Sequence, residues 1–217
     1  MSTLARRSVT ALILTSIIFL TFLFTAEAIG TKIFLIICAT LALYEWIKHK
    51  PCIHHIYTIH VCIIILSGAF CLYVMPPHIL IIVIIIAFAY DTFAYLIGRS
   101  YGGTLISRKL FPKTSPNKTW EGLLSGILAA AIIGLAFQVY WPGQPIDKTS
   151  RAIIIFGGSL AALGDYVASR YKRTIDIKDS DIHLTESLLP GHGGFIDRFF
   201  SLFTVAIGAV VLIFLLL

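Results

Sequence analysis

The sequence predicts an all-α integral membrane protein, a polytopic bundle of about seven transmembrane helices that forms one domain over residues 1–217. The chain has 217 residues, of which 58% are hydrophobic and only 13% are charged. Its mean hydropathy is +0.90, and apolar runs of about 20 residues, the length that spans a bilayer, recur from one end to the other. A soluble domain of this size has no use for so much apolar surface.

The seven predicted spans follow these apolar runs. The first begins after Arg6 and Arg7 and resembles a signal peptide, but the run continues too long and no convincing cleavage site follows, so we expect a retained helix. Two long polar segments, 98–122 and 164–201, interrupt the pattern, and we expect any chemistry to be found there. The spans are predicted at 8–26, 31–48, 55–75, 78–98, 121–141, 152–170 and 200–217.

The basic residues predict which side of the membrane each connection faces. Fourteen of the 17 Lys and Arg residues fall in alternate connections, so the positive-inside rule places the N-terminus and both polar segments in the cytoplasm and the C-terminus outside. The protein would then reside in a cytoplasmic (inner) membrane. The formal net charge of +6 reflects this topology and attraction to anionic lipid headgroups, and we expect no nucleic-acid partner.

Two acidic residues lie inside predicted spans. Asp91 lies in the fourth apolar run, on the third nearest the polar segments, where a carboxylate is costly and therefore indicates function, here substrate binding. The alternative for Asp91 is a structural hydrogen bond to a neighbouring helix. For Glu45 we favour a structural role, because Lys48 follows three residues later and could pair with it.

The first polar segment, 98–122, is basic and rich in glycine, proline and hydroxyl groups. Residues 115–122, SPNKTWEG, predict a turn followed by the start of a helix. Backbone N–H groups at a helix start, together with Ser115, Lys118 and Thr119, would make a phosphate-binding site. Simple attraction of a basic loop to lipid headgroups is the alternative interpretation.

The second polar segment, 164–201, combines charges of both signs. Helical spacing places Asp165, Ser169, Lys172 and Arg173 on one face if the sixth helix continues past the membrane. Oxygen ligands suit Mg²⁺, which usually takes one or two carboxylates and completes its shell with water and phosphate. The candidate metal ligands are Asp165, Asp197 and Asp179.

The same segment holds the remaining candidate catalytic and substrate-binding groups. Four cations could neutralise a polyphosphate. A Pro-Gly-His-Gly-Gly run supplies glycines that permit positive φ and a close backbone approach to a ligand, and its histidine could donate to a phosphate or a leaving group. The cations are Lys172, Arg173, Lys178 and Arg198, and the run contributes Gly191, His192, Gly193 and Gly194.

At these residues the chain resembles the CDP-diacylglycerol synthases (phosphatidate cytidylyltransferases). The combination of motifs is far more specific than any one of them. The resemblance covers 91–201, which it marks as the catalytic half, between N-terminal helices over 1–90 and a last helix over 202–217. The matching residues are Asp91-Thr92, Ala94-Tyr95, Gly98-Arg99, Ser115-Pro116, Lys118 to Gly122, Gly164-Asp165, Ser169, Lys172-Arg173, Lys178-Asp179, Pro190 to Gly194 and Asp197-Arg198.

The resemblance implies an enzyme that converts CTP and phosphatidic acid, a membrane lipid, into CDP-diacylglycerol and pyrophosphate. It implies Mg²⁺ held by Asp165 and Asp197, with room for a second monovalent or divalent cation, and a homodimer. The chain departs from the family pattern at three positions and has a longer loop between Asp179 and Pro190. Ala168 replaces a usual glutamate, Phe200 a usual aspartate and Phe93 a usual small residue.

Three alternatives remain open from the sequence. A CTP-dependent lipid kinase acting on a polyprenol or phytol would transfer the γ-phosphate and release CDP. A transporter or channel would line an ion path with Asp91 and Asp165 and would not consume CTP. An inactive relative, suggested by Ala168 and Phe200, would bind CTP weakly and show no turnover.

Overall fold

In the part of the chain that it describes, the structure, a computed structural model, is a bundle of six long α-helices. It describes residues 16, 20–21, 28–49, 55–107, 109–112, 114–140, 147–177, 180 and 194–216. Each of the six helices is long and apolar enough to cross a membrane, and no strand occurs within these ranges. The helices are α1 (Ile29–Lys48), α2 (His55–Val74), α3 (Pro77–Tyr101), α4 (Trp120–Tyr140), α5 (Lys148–Thr174) and α6 (Phe195–Leu216).

The predicted fold class, an all-helical integral membrane protein, is therefore confirmed. The six helices correspond to the second to seventh predicted spans. The first predicted span, 8–26, lies outside the described residues apart from positions 16, 20 and 21. The sixth helix continues beyond its predicted end at residue 170, because α5 reaches Thr174, and this meets the condition on which the shared helical face was predicted.

One boundary matters for function and was predicted wrongly. Hydropathy begins the last span at residue 200, whereas α6 begins at Phe195 and therefore includes Asp197 in its first turn. The hydropathy signal misses this turn because its polar residues, Asp197 and Arg198, lower the local average. A carboxylate is favourable at this position because it faces the positive end of the helix dipole.

Close helix crossings depend on small residues. α3 packs along α4, and α5 packs along α6, over the most extensive contacts in the bundle. At Gly164, on α5, a Cβ atom would lie 2.6 Å from Oγ1 of Thr204 and 3.0 Å from Cα of Ser201. The backbones of α5 and α6 can approach this closely only because residue 164 has no side chain.

Gly164→Ala should therefore separate α5 from α6 and destabilise the bundle. Overpacking of this kind typically costs about 1–3 kcal/mol, so we expect a lower thermal midpoint for unfolding in detergent. Leu163→Ala is the control, because Leu163 is on the same turn of α5 and is 52% exposed on the lipid-facing surface. Equal midpoints for Gly164→Ala and the wild type would contradict the proposed close crossing.

The charged residues gather at one end of the bundle, which we call the polar end. The C-termini of α1, α3 and α5 and the N-termini of α2, α4 and α6 meet there. For example, the rings of Tyr57 (α2) and Tyr171 (α5) are 5.7 Å apart. At the opposite end, Lys32 lies 5.9 Å from the ring of Tyr73, and Asp147 caps α5 by accepting from the Ser150 amide at 2.8 Å.

Candidate active site

A cavity of about 580 Å³ lies at the polar end, between α3, α4, α5, α6 and the loop that joins α3 to α4. Its volume is within the range of small-molecule binding sites. Its wall combines aromatic and aliphatic groups with three carboxylates and three cations. The lining residues are Tyr90, Asp91, Ala94, Tyr95, Gly98, Arg99, Leu110, Ser115, Asn117, Lys118, Thr119, Gly122, Leu123, Asp165, Asp197 and Arg198.

Lys118 and Asp165 form the first charged cluster on this wall. Nζ of Lys118 lies 2.5 Å from Oδ2 of Asp165, and it donates to the Asp165 carbonyl at 3.1 Å and to the Ser169 hydroxyl at 3.3 Å. The Ser169 hydroxyl in turn donates to the Asp165 carbonyl at 2.8 Å. The structure thus joins one predicted group from the first polar segment to two from the second.

Asp197 and Lys172 form the second charged cluster. Nζ of Lys172 donates to Oδ1 of Asp197 in a close ion pair. Oδ2 of Asp197 accepts from the Ser180 amide at 3.0 Å and from the Gly194 amide at 3.2 Å. Because the Lys172 and Asp197 side chains are each only 11% exposed, water screens this pair little and its geometry is well constrained.

Asp91 and Arg198 complete the charged wall. Asp91 lies on α3, and its Oδ2 accepts from the Ser201 hydroxyl of α6 at 2.9 Å. Both the structural and the functional interpretation of Asp91 therefore have support, because the residue bonds a neighbouring helix and also lines the cavity. Arg198 follows Asp197 in the first turn of α6 and lines the same cavity as Lys118.

The start of α4 lies on the cavity wall, as the sequence predicts. The Thr119 hydroxyl accepts from the Gly122 amide at 3.2 Å, which is the geometry of an N-cap. Ser115 and Thr119 both line the cavity. The predicted turn and helix start at 115–122 are confirmed, and the N-terminal turn of α4 borders the cavity.

Arg173 does not lie on the cavity wall. Its Nε donates to the Thr114 carbonyl at 3.0 Å and its Nη1 to the Ile177 carbonyl at 2.7 Å, so it links the end of α5 to the loop before α4. Helical spacing placed Arg173 with Lys172, but the two side chains take different partners. Direct neutralisation of a phosphate by Arg173 remains a prediction that this geometry does not favour.

Several other predicted residues lie outside the described part of the chain. They are Lys178, Asp179, Gly191, His192 and Gly193. Gly194 is described and is the residue before α6. Among the described glycines only Gly103 has a positive φ, of 83°, so Gly194 is not needed for an unusual backbone angle.

Two of the predicted metal ligands line the same cavity. Asp165 and Asp197 are both on its wall, and among the described residues Oδ1 of Asp165 accepts no hydrogen bond. No group of three or more His, Cys, Asp or Glu side chains within the described ranges is arranged to hold a metal ion. Two carboxylates fit Mg²⁺, which takes few protein ligands.

The departures from the family pattern lie beside these carboxylates. Ala168 and Phe200 line a second cavity, of about 20 Å³, that lies between α5 and α6 and is also bordered by Asp165 and Asp197. Ala168 is 6% exposed and Phe200 is 2% exposed. An apolar wall therefore stands where the family usually has two further acidic residues.

Nine of the residues that line the cavity were not among the predicted site residues, and Arg99, Tyr95 and Asn117 are the three considered for substrate contact. Arg99 and Tyr95 lie on successive turns of α3, where Nη1 of Arg99 donates to the Tyr95 hydroxyl at 2.8 Å. Asn117 lies in the loop before α4. All three fall within or beside the motifs that carry the resemblance. Their place in those motifs could have identified them as candidate site residues.

Glu45 forms hydrogen bonds within the bundle, as expected of a residue with structural contacts, but its predicted partner is wrong. Nζ of Lys48 lies 5.7 Å from the Tyr44 ring centroid. The Glu45 carboxylate instead accepts hydrogen bonds from the first turn of α6. The cause is tertiary: α1 packs against α6, and the orphan N–H groups of that helix end are stronger partners than a solvated lysine.

Comparison with known families points to the same region of the chain. The model of a family described as the cytidylyltransferase family matches residues 75–216. The match includes the whole of α3, α4, α5 and α6, and so contains every residue that lines the main cavity.

Curated relatives give a consistent picture. The chain is 36% identical over 135 residues to a protein named phosphatidate cytidylyltransferase from Haemophilus influenzae, covering 58% of this chain and 43% of the relative. It is 40% identical over 118 residues to the protein of that name from Bacillus subtilis, covering 54% and 40%. The match therefore spans less than half the length of these relatives.

Proposed function

Because this chain belongs to the cytidylyltransferase family, we propose that it transfers the CMP group of CTP to phosphatidic acid and produces CDP-diacylglycerol and pyrophosphate. The observation that carries the proposal is the cavity of about 580 Å³ in which Lys118, Asp165 and Asp197 come together on a wall that is partly apolar. Such a wall suits a substrate pair that joins a polyphosphate to a lipid.

The proposed reaction needs no covalent intermediate with the enzyme. A phosphate oxygen of phosphatidic acid attacks the α-phosphorus of CTP and forms a new P–O bond. The bond between the α-phosphorus and the bridging oxygen breaks, and pyrophosphate leaves with that electron pair. The task of the protein is then to position two anions against each other and to offset their charge.

The cavity residues suit that task. Lys118, Arg198 and Arg99 supply positive charge from three different elements. The hydroxyls of Ser115 and Thr119 and the amide of Asn117 can hydrogen-bond to phosphate or to the nucleoside, near the positive end of α4. Fixed charges of this kind stabilise developing negative charge without reorganising during the reaction.

We further propose that Asp165 and Asp197 hold Mg²⁺, with Asp179 as a third candidate ligand outside the described residues. When bound, Mg²⁺ would act as a Lewis acid that offsets the charge of the triphosphate and of the departing pyrophosphate. The support is the chemistry of the donor set, because carboxylate oxygens line the same cavity as three cations that could neutralise phosphate.

The lipid substrate would enter from the side of the bundle. Tyr95 lines the cavity and is also 41% exposed, next to Leu96, which is 48% exposed on the apolar surface of α3. An acceptor phosphate could therefore enter the cavity while its acyl chains stay in the bilayer. The homodimer implied by the resemblance stays a prediction.

We place the site at the cytoplasmic face of an inner membrane. The support is the asymmetric distribution of basic residues. Among the Lys and Arg residues that the structure describes, only Lys32, Lys148 and Arg151 lie at the opposite end of the bundle. Those at the polar end are Lys48, Arg99, Lys109, Lys118, Arg170, Lys172, Arg173 and Arg198.

The test is pyrophosphate release by the purified chain in mixed micelles of detergent and phosphatidic acid, with CTP and Mg²⁺. We expect one pyrophosphate per CTP consumed, and none when phosphatidic acid is omitted. CDP as the nucleotide product, with a polyprenol or phytol as acceptor, would identify a lipid kinase instead. CTP consumption that does not depend on any lipid would refute both activities.

A further inference from the structure

Glu45, on α1, contacts the start of α6 from outside the segment that matches the family. It is fully buried, with 0% exposure, and the family match begins only at residue 75. Its Oε1 accepts from the Phe195 amide at 2.9 Å, and its Oε2 accepts from the Ile196 amide at 3.1 Å. Phe195 and Ile196 are the first two residues of α6.

These bonds supply a cap that α6 cannot make for itself. The first N–H groups of a helix have no partner within the helix, and the residue before α6 is a glycine, which has no capping side chain. A Cβ atom at Gly194 would collide with the Glu45 carboxylate and the Ser180 hydroxyl. The absence of a side chain at Gly194 therefore leaves the space in which the Glu45 carboxylate caps α6. The positive end of the helix dipole stabilises this buried carboxylate.

The same carboxylate also holds Ser180, which is fully buried. The Ser180 hydroxyl donates to Oε2 of Glu45 at 3.2 Å, and Nε2 of His49 lies 2.8 Å from the Ser180 carbonyl, which can only accept. Glu45 of α1 and His49, the residue that follows α1, thus hold Ser180 of the second polar segment.

The bonds converge on Asp197. Its Oδ2 accepts from the amides of Ser180 and Gly194, and both of those residues lie against Glu45. Asp197 is itself in the first turn of α6, whose first two amides donate to Glu45. A displacement of the Glu45 carboxylate would therefore move both the backbone that carries Asp197 and the donors that orient it.

We propose that Glu45 is a positioning residue for catalysis, which fixes Asp197 against Lys172 and the main cavity by capping α6 and anchoring Ser180. This inference rests on the proposed function, because it assigns Asp197 to the site of CMP transfer. It adds a contribution from α1 that the family match does not cover. Glu45 touches no reacting group in this account and acts only through Asp197.

The test compares Glu45→Gln with Leu35→Ala. The glutamine keeps one acceptor oxygen but turns an N–H₂ group towards a backbone N–H donor, so the cap is broken with little change in volume. Leu35 is 1% exposed on the same helix, and its truncation destabilises the protein through a cavity, distant from Asp197. Both variants are assayed at a temperature at which each remains folded.

We expect kcat of Glu45→Gln to fall by on the order of 10- to 100-fold, the loss typical of groups that orient a ligand or catalytic residue. Hydrogen–deuterium exchange should accelerate selectively in a peptide covering 194–199. Leu35→Ala should keep a kcat close to that of the wild type and show no selective change there. Glu45→Asp, which retains the charge and both acceptor oxygens, should recover part of the activity and of the protection.

A purely structural role predicts a different pattern. Glu45→Gln would then lose thermal stability as Leu35→Ala does, keep the kcat of the wild type and show no exchange change confined to 194–199, and this result would overturn the inference. Failure of the proposed function is distinguishable, because the wild type itself would then release no pyrophosphate while the exchange comparison would still report on the cap. If Glu45→Gln does not fold, the same comparison is made with Glu45→Asp.

Discussion

Replacing Asp197 with asparagine is expected to reduce CMP transfer by on the order of 10²–10³-fold, the loss that follows removal of one preorganised electrostatic group from an active site. The substitution keeps the shape of the side chain and removes its charge. Lys172, only 11% exposed, would lose its ionic partner, and an amide nitrogen would replace an oxygen that accepts from Lys172 or from the backbone. The candidate magnesium site would also lose one of its two described carboxylates.

Asp176→Asn is the matched control for this prediction. Asp176 lies in the same polar segment, is exposed and has a φ of 56°, an angle that asparagine tolerates as well as aspartate. The two variants make the same chemical change, and only one of them alters the cavity. Initial rates of pyrophosphate release at saturating CTP and phosphatidic acid measure the difference. Equal rates for Asp197→Asn and Asp176→Asn would show that the Asp197 carboxylate does not contribute to CMP transfer.

Replacing Lys118 with methionine should lower kcat/KM for CTP by about 10- to 100-fold, since a hydrogen bond to a charged group contributes about 1.5–3 kcal/mol. The effect on stability should be small. The Lys118 and Asp165 side chains are 24% and 34% exposed, and ion pairs that water can reach contribute little to folding. A large kinetic loss with a nearly unchanged thermal midpoint is therefore the expected signature of a substrate-binding lysine.

Lys109→Met provides the comparison. Lys109 is exposed in the same polar segment and does not line the cavity, so its loss changes the net charge equally and should leave kcat/KM nearly unchanged. If both substitutions weaken catalysis to the same extent, Lys118 acts only through the general attraction of a basic loop to anionic lipid. That outcome would favour the alternative interpretation of the first polar segment.

The fold could be predicted because hydropathy is a property of each apolar run by itself. Six predicted spans correspond to helices of the structure, and α5 continues beyond the predicted end of the sixth span, to Thr174. The start of α6 could not be predicted in this way. Its first turn is polar, and its cap comes from Glu45, whose position depends on the packing of α1 against α6.

The sequence predicted several of the residues in the candidate site, but not the hydrogen bonds and ion pairs that join them. The resemblance, confirmed at the level of the family, identified Asp165, Lys118 and Asp197 by motif. It gave no sign that Lys118 pairs with Asp165, because contacts between residues far apart in the chain have no local signature. The different hydrogen-bond partners of Lys172 and Arg173 could not be predicted either. Helical spacing places the two side chains close together but does not determine which groups they contact.

Following the phosphorus atoms of CTP distinguishes CMP transfer from transfer of the γ-phosphate. The purified chain would be given CTP labelled with ³²P at the α position or, in a parallel reaction, at the γ position, with phosphatidic acid and Mg²⁺. Our account predicts that the α label enters the lipid fraction, that the γ label leaves as pyrophosphate, and that Asp197→Asn reduces both. Transfer of the γ label to a lipid acceptor, or retention of both labels in CTP, would contradict it.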